Sequence, residues 1–234
     1  MLAGDQSRLD LRVGKGARCF LGTQASTKIY RNPGREPCGH VTHAHVEEDA
    51  VLVFAPAPVQ PFAESTYAQS QQFYLAPGAG LVLLDWFTSG RPARGERWAF
   101  SHFQSRNEVF CPRGADHATN TPVSGERCVF LDSLSLDPAD GPLGGLYRGG
   151  RFDCYALLLL LGPPLGQAVT DLLARTRSLA LARRSPLLVS ASPLDGGALL
   201  RLAGATVEQV ESELRQSLLG VCSLLGDDPW ARKW

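Results

Sequence analysis

The chain reads as a mainly β protein with two C-terminal helices, an α+β fold with a β-rich body, and three observations predict it. From Ser7 to Val13 the apolar residues Leu9, Leu11 and Val13 alternate with Arg8, Asp10 and Arg12, the two-residue period of a half-buried strand. Leu81 to Leu84 is a continuous apolar run of buried-strand length behind the turn signal Pro77-Gly78-Ala79-Gly80. Past Gly150 the period changes to the 3.6 of a helix, in the stripes Leu165, Ala168, Val169, Leu172, Leu173 and Val207, Val210, Leu214, Leu218, Val221, Leu225.

The remaining elements follow in order. Gly14-Lys15-Gly16 turns the first strand into a β-rich run from Arg18 to Arg31, and Pro/Gly density marks a loop from Asn32 to Gly39. His40 to Val46 and Val51 to Phe54 read as strands, the second stopped by Ala55-Pro56-Ala57-Pro58 because proline removes a ladder donor. Val59 to Phe62 continues extended. A Gly-rich connection from Ser89 to Arg97 leads into an expected strand from Trp98 to Phe103, and this pair with the Asp85 strand reads as a hairpin. Glu108 to Phe110 is a short strand, Pro112 to Gly125 a polar loop carrying His117, and Arg127 to Leu136 a strand. Asp137 to Gly150 is a Pro/Gly-rich connection. Pro163-Pro164 opens the first helix, Asp195-Gly196-Gly197 turns a hairpin between Ser185–Ser192 and Ala198–Leu202, and a Thr206-to-Gln209 capping box opens the last helix before Gly226 stops it. Residues 1–234 are expected to form a single domain, with 1–136 as its β-rich body and 151–234 as its helix-hairpin-helix part.

Composition excludes several classes. With 23 basic and 23 acidic residues among 234, no global field favours nucleic acid or an acidic membrane. Six cysteines are scattered without a CxxC pair or a preceding signal peptide, as in a cytosolic protein with reduced thiols. The longest apolar run, Ala156 to Leu161, is far short of the roughly 20 residues that span a bilayer. No nucleophile elbow, zinc-protease motif, phosphate loop or dinucleotide fingerprint occurs, which leaves an unrecognised hydrolase only as a minor alternative.

What chemistry remains is dispersed over strands and turns: Asp5, Thr27, Lys28, Asp85, Arg91, Glu96 and Asp132. Asp85 ends an apolar strand beside Trp86, where a carboxylate must be paired, hydrogen-bonded or protonated. Arg91, Lys28 or water are its expected partners, and two readings stay open: a structural Asp–Arg pair, or a polar interior that serves as a passage. A second motif is His40-x-x-His43-x-His45, in which His43 and His45 share a strand face while His40 points the other way. Two imidazoles at that spacing can reach one metal ion, but a lasting site needs more ligands.

Four ordered motifs resemble a known family. Thr23-Gln24-Ala25-Ser26-Thr27-Lys28-Ile29-Tyr30-Arg31 comes first, then Pro58-Val59-Gln60-Pro61-Phe62 with Tyr67-x-Gln69-x-Gln71. Asp85-Trp86-x-x-Ser89-Gly90-Arg91-x-x-x-Gly95-Glu96-x-Trp98 and Phe130-Leu131-Asp132 follow. With Gly4-Asp5 and the closing stretch from Pro229 to Trp234, they are similar to the urease accessory protein D family (UreD, also called UreH) in its eukaryotic form. The resemblance implies a β-rich, non-enzymatic, cytoplasmic scaffold. Its implied partners are apo-urease, accessory protein F and the nickel-carrying GTPase G, and nickel is a transient passenger rather than a bound cofactor. It also implies that Asp5, Thr27, Asp85 and Asp132 lie inside and take part in nickel passage. Two departures stand out. The chain begins almost at the Gly-Asp motif, so the strand from Ser7 to Val13 is expected to expose its ladder groups and favour aggregation when the chain is alone. Ala57 stands where eukaryotic members tend to carry Asp. The alternative function is a stand-alone metal-binding module built on His40, His43 and His45.

Overall fold

A computed structural model describes residues 1–112, 125–146, 148–179 and 184–231; the loop segment carrying His117 and the last three residues lie outside them. In chain order the strands are β1 (Gln6–Val13), β2 (Arg18–Leu21), β3 (Thr27–Ile29), β4 (Cys38–Val46), β5 (Val51–Phe54), β6 (Val59–Pro61), β7 (Thr66–Leu75) and β8 (Gly80–Thr88). They continue as β9 (Gly90–Arg91), β10 (Glu96–Arg97), β11 (His102–Pro112), β12 (Glu126–Leu136), β13 (Cys154–Leu161), β14 (Leu187–Leu194) and β15 (Gly197–Gly204). The helices are α1 (Gly166–Arg177) and α2 (Val207–Leu225).

Pairing sorts these strands into two facing sheets. One is five-stranded, in the order β1-β4-β7-β11-β12, and the other eight-stranded, built on β14-β15-β13-β8-β5-β2 with β3 and β6 attached beside β8. The chain shuttles between them, so β1, β4, β7 and β11 pair in parallel with one another, as do β2, β5 and β8. This corrects the expected hairpin at Asp85. The Pro77–Gly80 turn carries the chain from one sheet to the other, and β8 pairs antiparallel with the distant β13. Parallel neighbours cannot be joined by a tight turn, and here the facing sheet supplies the crossover.

Alternation explains the layers. Ala44, Val46, Phe73, Leu75 and Val109 of the five-stranded sheet meet Leu52, Phe54, Leu81, Leu83, Leu157 and Leu159 of the other in one core. Val51, Val53, Val82, Leu158 and Leu160 point the opposite way, onto α1 and α2 through Leu172, Val210, Leu214 and Leu218. The continuous apolar runs of β5, β8 and β13 are thus buried on both faces, for which alternation with polar residues has no use. The C-terminal hairpin joins the same sheet as β2, β5 and β8, with Leu194 paired to Gly197 across Asp195-Gly196, and Gly196 takes a left-handed φ of 72° there.

The expected strand from Trp98 to Phe103 is not formed. Trp98 has a φ of 56°, and Trp98, Phe100 and Phe103 all turn into one aromatic cluster with Phe87, Tyr67 and Tyr155. Three rings on one side defeat a two-residue period. The strand begins instead at His102 and runs to Pro112. The capping box is present as read: Thr206 accepts from the Gln209 backbone while Gln209 accepts from the Thr206 N–H. Thr206→Ala is expected to lower stability by about 1 kcal/mol, measurable as a shift of the urea midpoint with an unchanged slope. The six cysteines are free, and burial pushes the Cys154 thiol up to about 12, leaving it inert.

Candidate functional site

The inner face of the five-stranded sheet is interrupted by polar residues at matching heights. On β7 the inward positions run Tyr67, Gln69, Gln71, Phe73, Leu75; on β11 they run Phe103, Ser105, Asn107, Val109. Parallel register sets Gln69 beside Ser105 and Gln71 beside Asn107, and on the other side His40 beside Gln69 and Thr42 beside Gln71. Ser7 of β1 pairs with His40, and Asp132 of β12 with Asn107. A belt of hydroxyls, amides and one imidazole therefore crosses the sheet from edge to edge, between the aliphatic core and the aromatic cluster. From the facing sheet β8 contributes Asp85, between Leu83 in the aliphatic core and Phe87 in the aromatic cluster.

The belt is directional. Gln69 Nε2 donates to Asp85 Oδ1 at 2.8 Å, and Ser105 Oγ and Asn107 Nδ2 donate to Oδ2 at 2.5 and 2.7 Å. Behind them Tyr67 Oη donates to Gln69 Oε1 at 3.0 Å and Gln71 Nε2 to Asn107 Oδ1 at 2.7 Å, which orients both amides with their N–H groups toward the carboxylate. The amides and Ser105 are buried, with Asn107 wholly inaccessible. Burial pushes the Asp85 carboxyl above its usual range; the hydrogen bonds from Ser105, Asn107 and Gln69 oppose this, and the negative charge of Asp132 adds to it. Burial beside Asp85 also raises the Tyr67 phenol, so that group stays a neutral donor. Among the described residues no cationic side chain bonds to Asp85. Three neutral donors orient this carboxyl group and favour its charged form, against the burial that disfavours it.

Two cavities meet at this carboxylate. One, of about 480 Å³, is lined by Asp85, Ser105, Asp132, Ser133 and Ser135 above Phe87, Trp98 and Tyr155, with Arg148 and Arg201 also on its wall. The other, of about 330 Å³, is lined by Asp85 with Ser7, Thr27, His40, Gln69 and Gln71. Asp85 is enclosed by protein yet keeps accessible surface because both spaces reach it.

The residues singled out in the sequence separate into groups. Asp85 and Asp132 share the larger cavity, and Thr27 and Asp85 share the smaller one. Asp5 does not join them: it is exposed, and its carboxylate accepts the Leu2 N–H in a local turn. Lys28 is exposed on the outward side of β3. The expected Asp85–Arg91 pair is absent because Arg91 is bound to Glu96, at 2.8 Å from Nε to Oε2, and lies 3.8 Å over the Phe62 ring. Arg91 and Glu96 clip the short β9–β10 ladder instead. Ala57 lines the smaller cavity. His40 faces inward, between Ser7 Oγ at 2.6 Å and Thr42 Oγ1 at 2.8 Å, and burial holds its pKa below the usual value. His43 faces outward against Arg8 and Asp10, and His45 stacks on Tyr74 at 4.7 Å. No three His, Cys, Asp or Glu side chains converge as a metal site among the described residues. The belt residues Gln69, Gln71, Ser105 and Asn107 were legible only as family motif or not at all. Their signal is polar side chains in phase with Tyr67 and Phe73, and with Phe103 and Val109, on the buried face of alternating strands.

Fold and site together define a β-sandwich in which a polar belt between the aliphatic and aromatic cores is organised around the Asp85 carboxylate. The UreD urease accessory protein family model matches residues 1–234, and the chain belongs to that family. It is 45% identical over 237 residues to the urease accessory protein UreD of Sorangium cellulosum (strain So ce56), covering 100% of this chain and 69% of the relative. The UreD of Anaeromyxobacter sp. (strain Fw109-5) is 40% identical over 232 residues, 99% of this chain and 73% of that protein. Urease accessory protein D of Oryza sativa subsp. indica is 29% identical over 254 residues, 98% and 78% respectively. Relatives are thus found in bacteria and in plants, and the two bacterial proteins are more similar to this chain than the rice protein is. Among the described residues no helix is long and apolar enough to cross a membrane.

Proposed function

We propose that the chain is a urease-maturation scaffold that binds apo-urease and accessory protein F and lets nickel, delivered by GTPase G, pass through its interior to the urease active site. Family membership supports the role in maturation. The observation that carries the passage is Asp85, a carboxylate reached by two cavities and held by neutral donors alone. In this reading nickel is cargo. Oxygen ligands from one carboxylate, amides, hydroxyls and water bind a borderline dication weakly, whereas a closed set of imidazoles or thiolates would retain it. Asp85 supplies the charge that draws the ion inward, Gln69, Ser105 and Asn107 hold that carboxylate in place, and Thr27 and Asp132 stand on either side of it. The protein carries out no bond-making step, and its scattered reduced thiols suit a cytoplasmic setting. The chain is expected to co-purify with accessory protein F from a co-expressing cell. A chain that is folded by circular dichroism yet leaves protein F in the flow-through would refute the scaffold role.

A further inference from the structure

We propose that Arg201 is a built-in, displaceable counter-ion that occupies Asp132 and so sets the threshold at which a free divalent cation enters the larger cavity. Arg201 Nη2 lies 2.9 Å from Asp132 Oδ1. The arginine comes from β15 of the eight-stranded sheet and the aspartate from β12, the edge of the five-stranded one, and no backbone pairing joins these two strands. The pair therefore ties the two sheets together across the cavity that both residues line. The two sides of the pair differ in a useful way: the arginine side chain is 61% exposed and the aspartate 23%. The guanidinium can swing into solvent at little cost, while the carboxylate stays at the wall.

Position makes the pair more than a surface contact. Asp132 sits opposite Asn107 in register, and Asn107 donates to Asp85. The two carboxylates thus bracket one strand-to-strand step, and the charge of Asp132 is felt at Asp85. The other cation and anion on that wall are Arg148 and Asp140. Arg148 is committed to the backbone carbonyls of Asp137, Asp140 and Gly141, and it does not compete for Asp132. With Arg201 in place the Asp132 charge is compensated, and the other carboxylates on the wall are Asp85 and Asp140. With Arg201 displaced Asp132 adds its uncompensated charge to the space that Asp85 lines, a better site for a dication. Arg201 thereby excludes scarce free ions, and a locally delivered ion at high effective concentration displaces it.

This inference rests on the passage reading, and its test is separate from it. Nickel chloride is titrated calorimetrically into the purified full chain and into Arg201→Gln, Arg201→Lys and the double variant Arg201→Gln/Asp132→Asn. Arg201→Gln is expected to bind nickel about fivefold or more tightly than the unaltered chain, Arg201→Lys to stay near the unaltered affinity, and the double variant to lose the gain. A gain of affinity is not something a merely weakened fold produces. Unchanged affinity in Arg201→Gln, or a gain that survives removal of the Asp132 charge, overturns the proposal. Urease activation that still depends on Asp85 would then leave the passage reading standing.

Discussion

Asp85→Asn is expected to reduce urease activation by the complex with protein F at least about tenfold while leaving the chain folded. The amide keeps the volume of the carboxylate but removes its charge. One of its atoms becomes a donor facing donors, either Gln69 or the Ser105–Asn107 pair. Gln69 can accommodate this by turning its amide, because the Tyr67 hydroxyl can rotate to accept, but it then gives up the bond that Gln69 Nε2 donates to Ser105 Oγ at 2.9 Å. The rearrangement costs about 1 kcal/mol or less after the lost desolvation penalty is counted. The sign of the pH dependence follows from the raised Asp85 pKa. A carboxyl raised in the folded state contributes stability that is fully present below the unfolded value, about 3.9, and is lost as pH rises through the folded value. The variant lacks this loss, so its stability relative to the unaltered chain should improve from pH 4 toward neutrality. Denaturant unfolding across that range, paired with activation of urease by the same preparations, reads both effects. Normal activation by the variant would end the passage role for Asp85 whatever the unfolding curves show.

Asn107→Leu is expected to cost about 3 to 5 kcal/mol at pH 7, from one hydrogen bond to a charged group and two buried groups left short of a partner. Asn107 is fully inaccessible, donates to Asp85 Oδ2 and accepts from Gln71 Nε2. Leucine fills a similar volume and satisfies neither. Loss of a donor pushes the Asp85 carboxyl further up, so the deficit should shrink as pH falls toward the unfolded value and the carboxyl is protonated in both proteins. A double-mutant cycle with Asp85→Asn should show coupling well beyond the few tenths of a kcal/mol typical of independent sites. Additive losses would mean that the belt is a set of separate contacts, and the account of Asp85 as its organising anion would fail.

The belt also marks where reading a linear chain runs out. Local chemistry was enough for much of the fold. The period-two run of β1, the solid apolar runs of β5, β8 and β13, the capping box of α2 and the Asp195-Gly196 turn are all interactions between residues close in sequence, so their signals are written there. The Trp98–Phe103 strand failed because three aromatic residues were drawn to one cluster, a long-range demand that overrode local pattern. Partner choice was less legible still. Arg91 is six residues from Asp85 and looked like its counter-ion, but Glu96 lies across a two-residue ladder and offers a planar, bidentate fit that needs no buried guanidinium. The residues that do hold Asp85 come from β7 and β11, strands of the other sheet at 16, 20 and 22 positions' distance. By itself the sequence determined that the chain is β-rich and carries an unusual carboxylate at the close of an apolar run, because alternation and turn chemistry act locally; that β8 continues past Asp85 to Thr88 was not legible. Only the tertiary structure decided what that carboxylate faces, because parallel register sets which polar side chains stand at the same height, and register is a property of two strands at once.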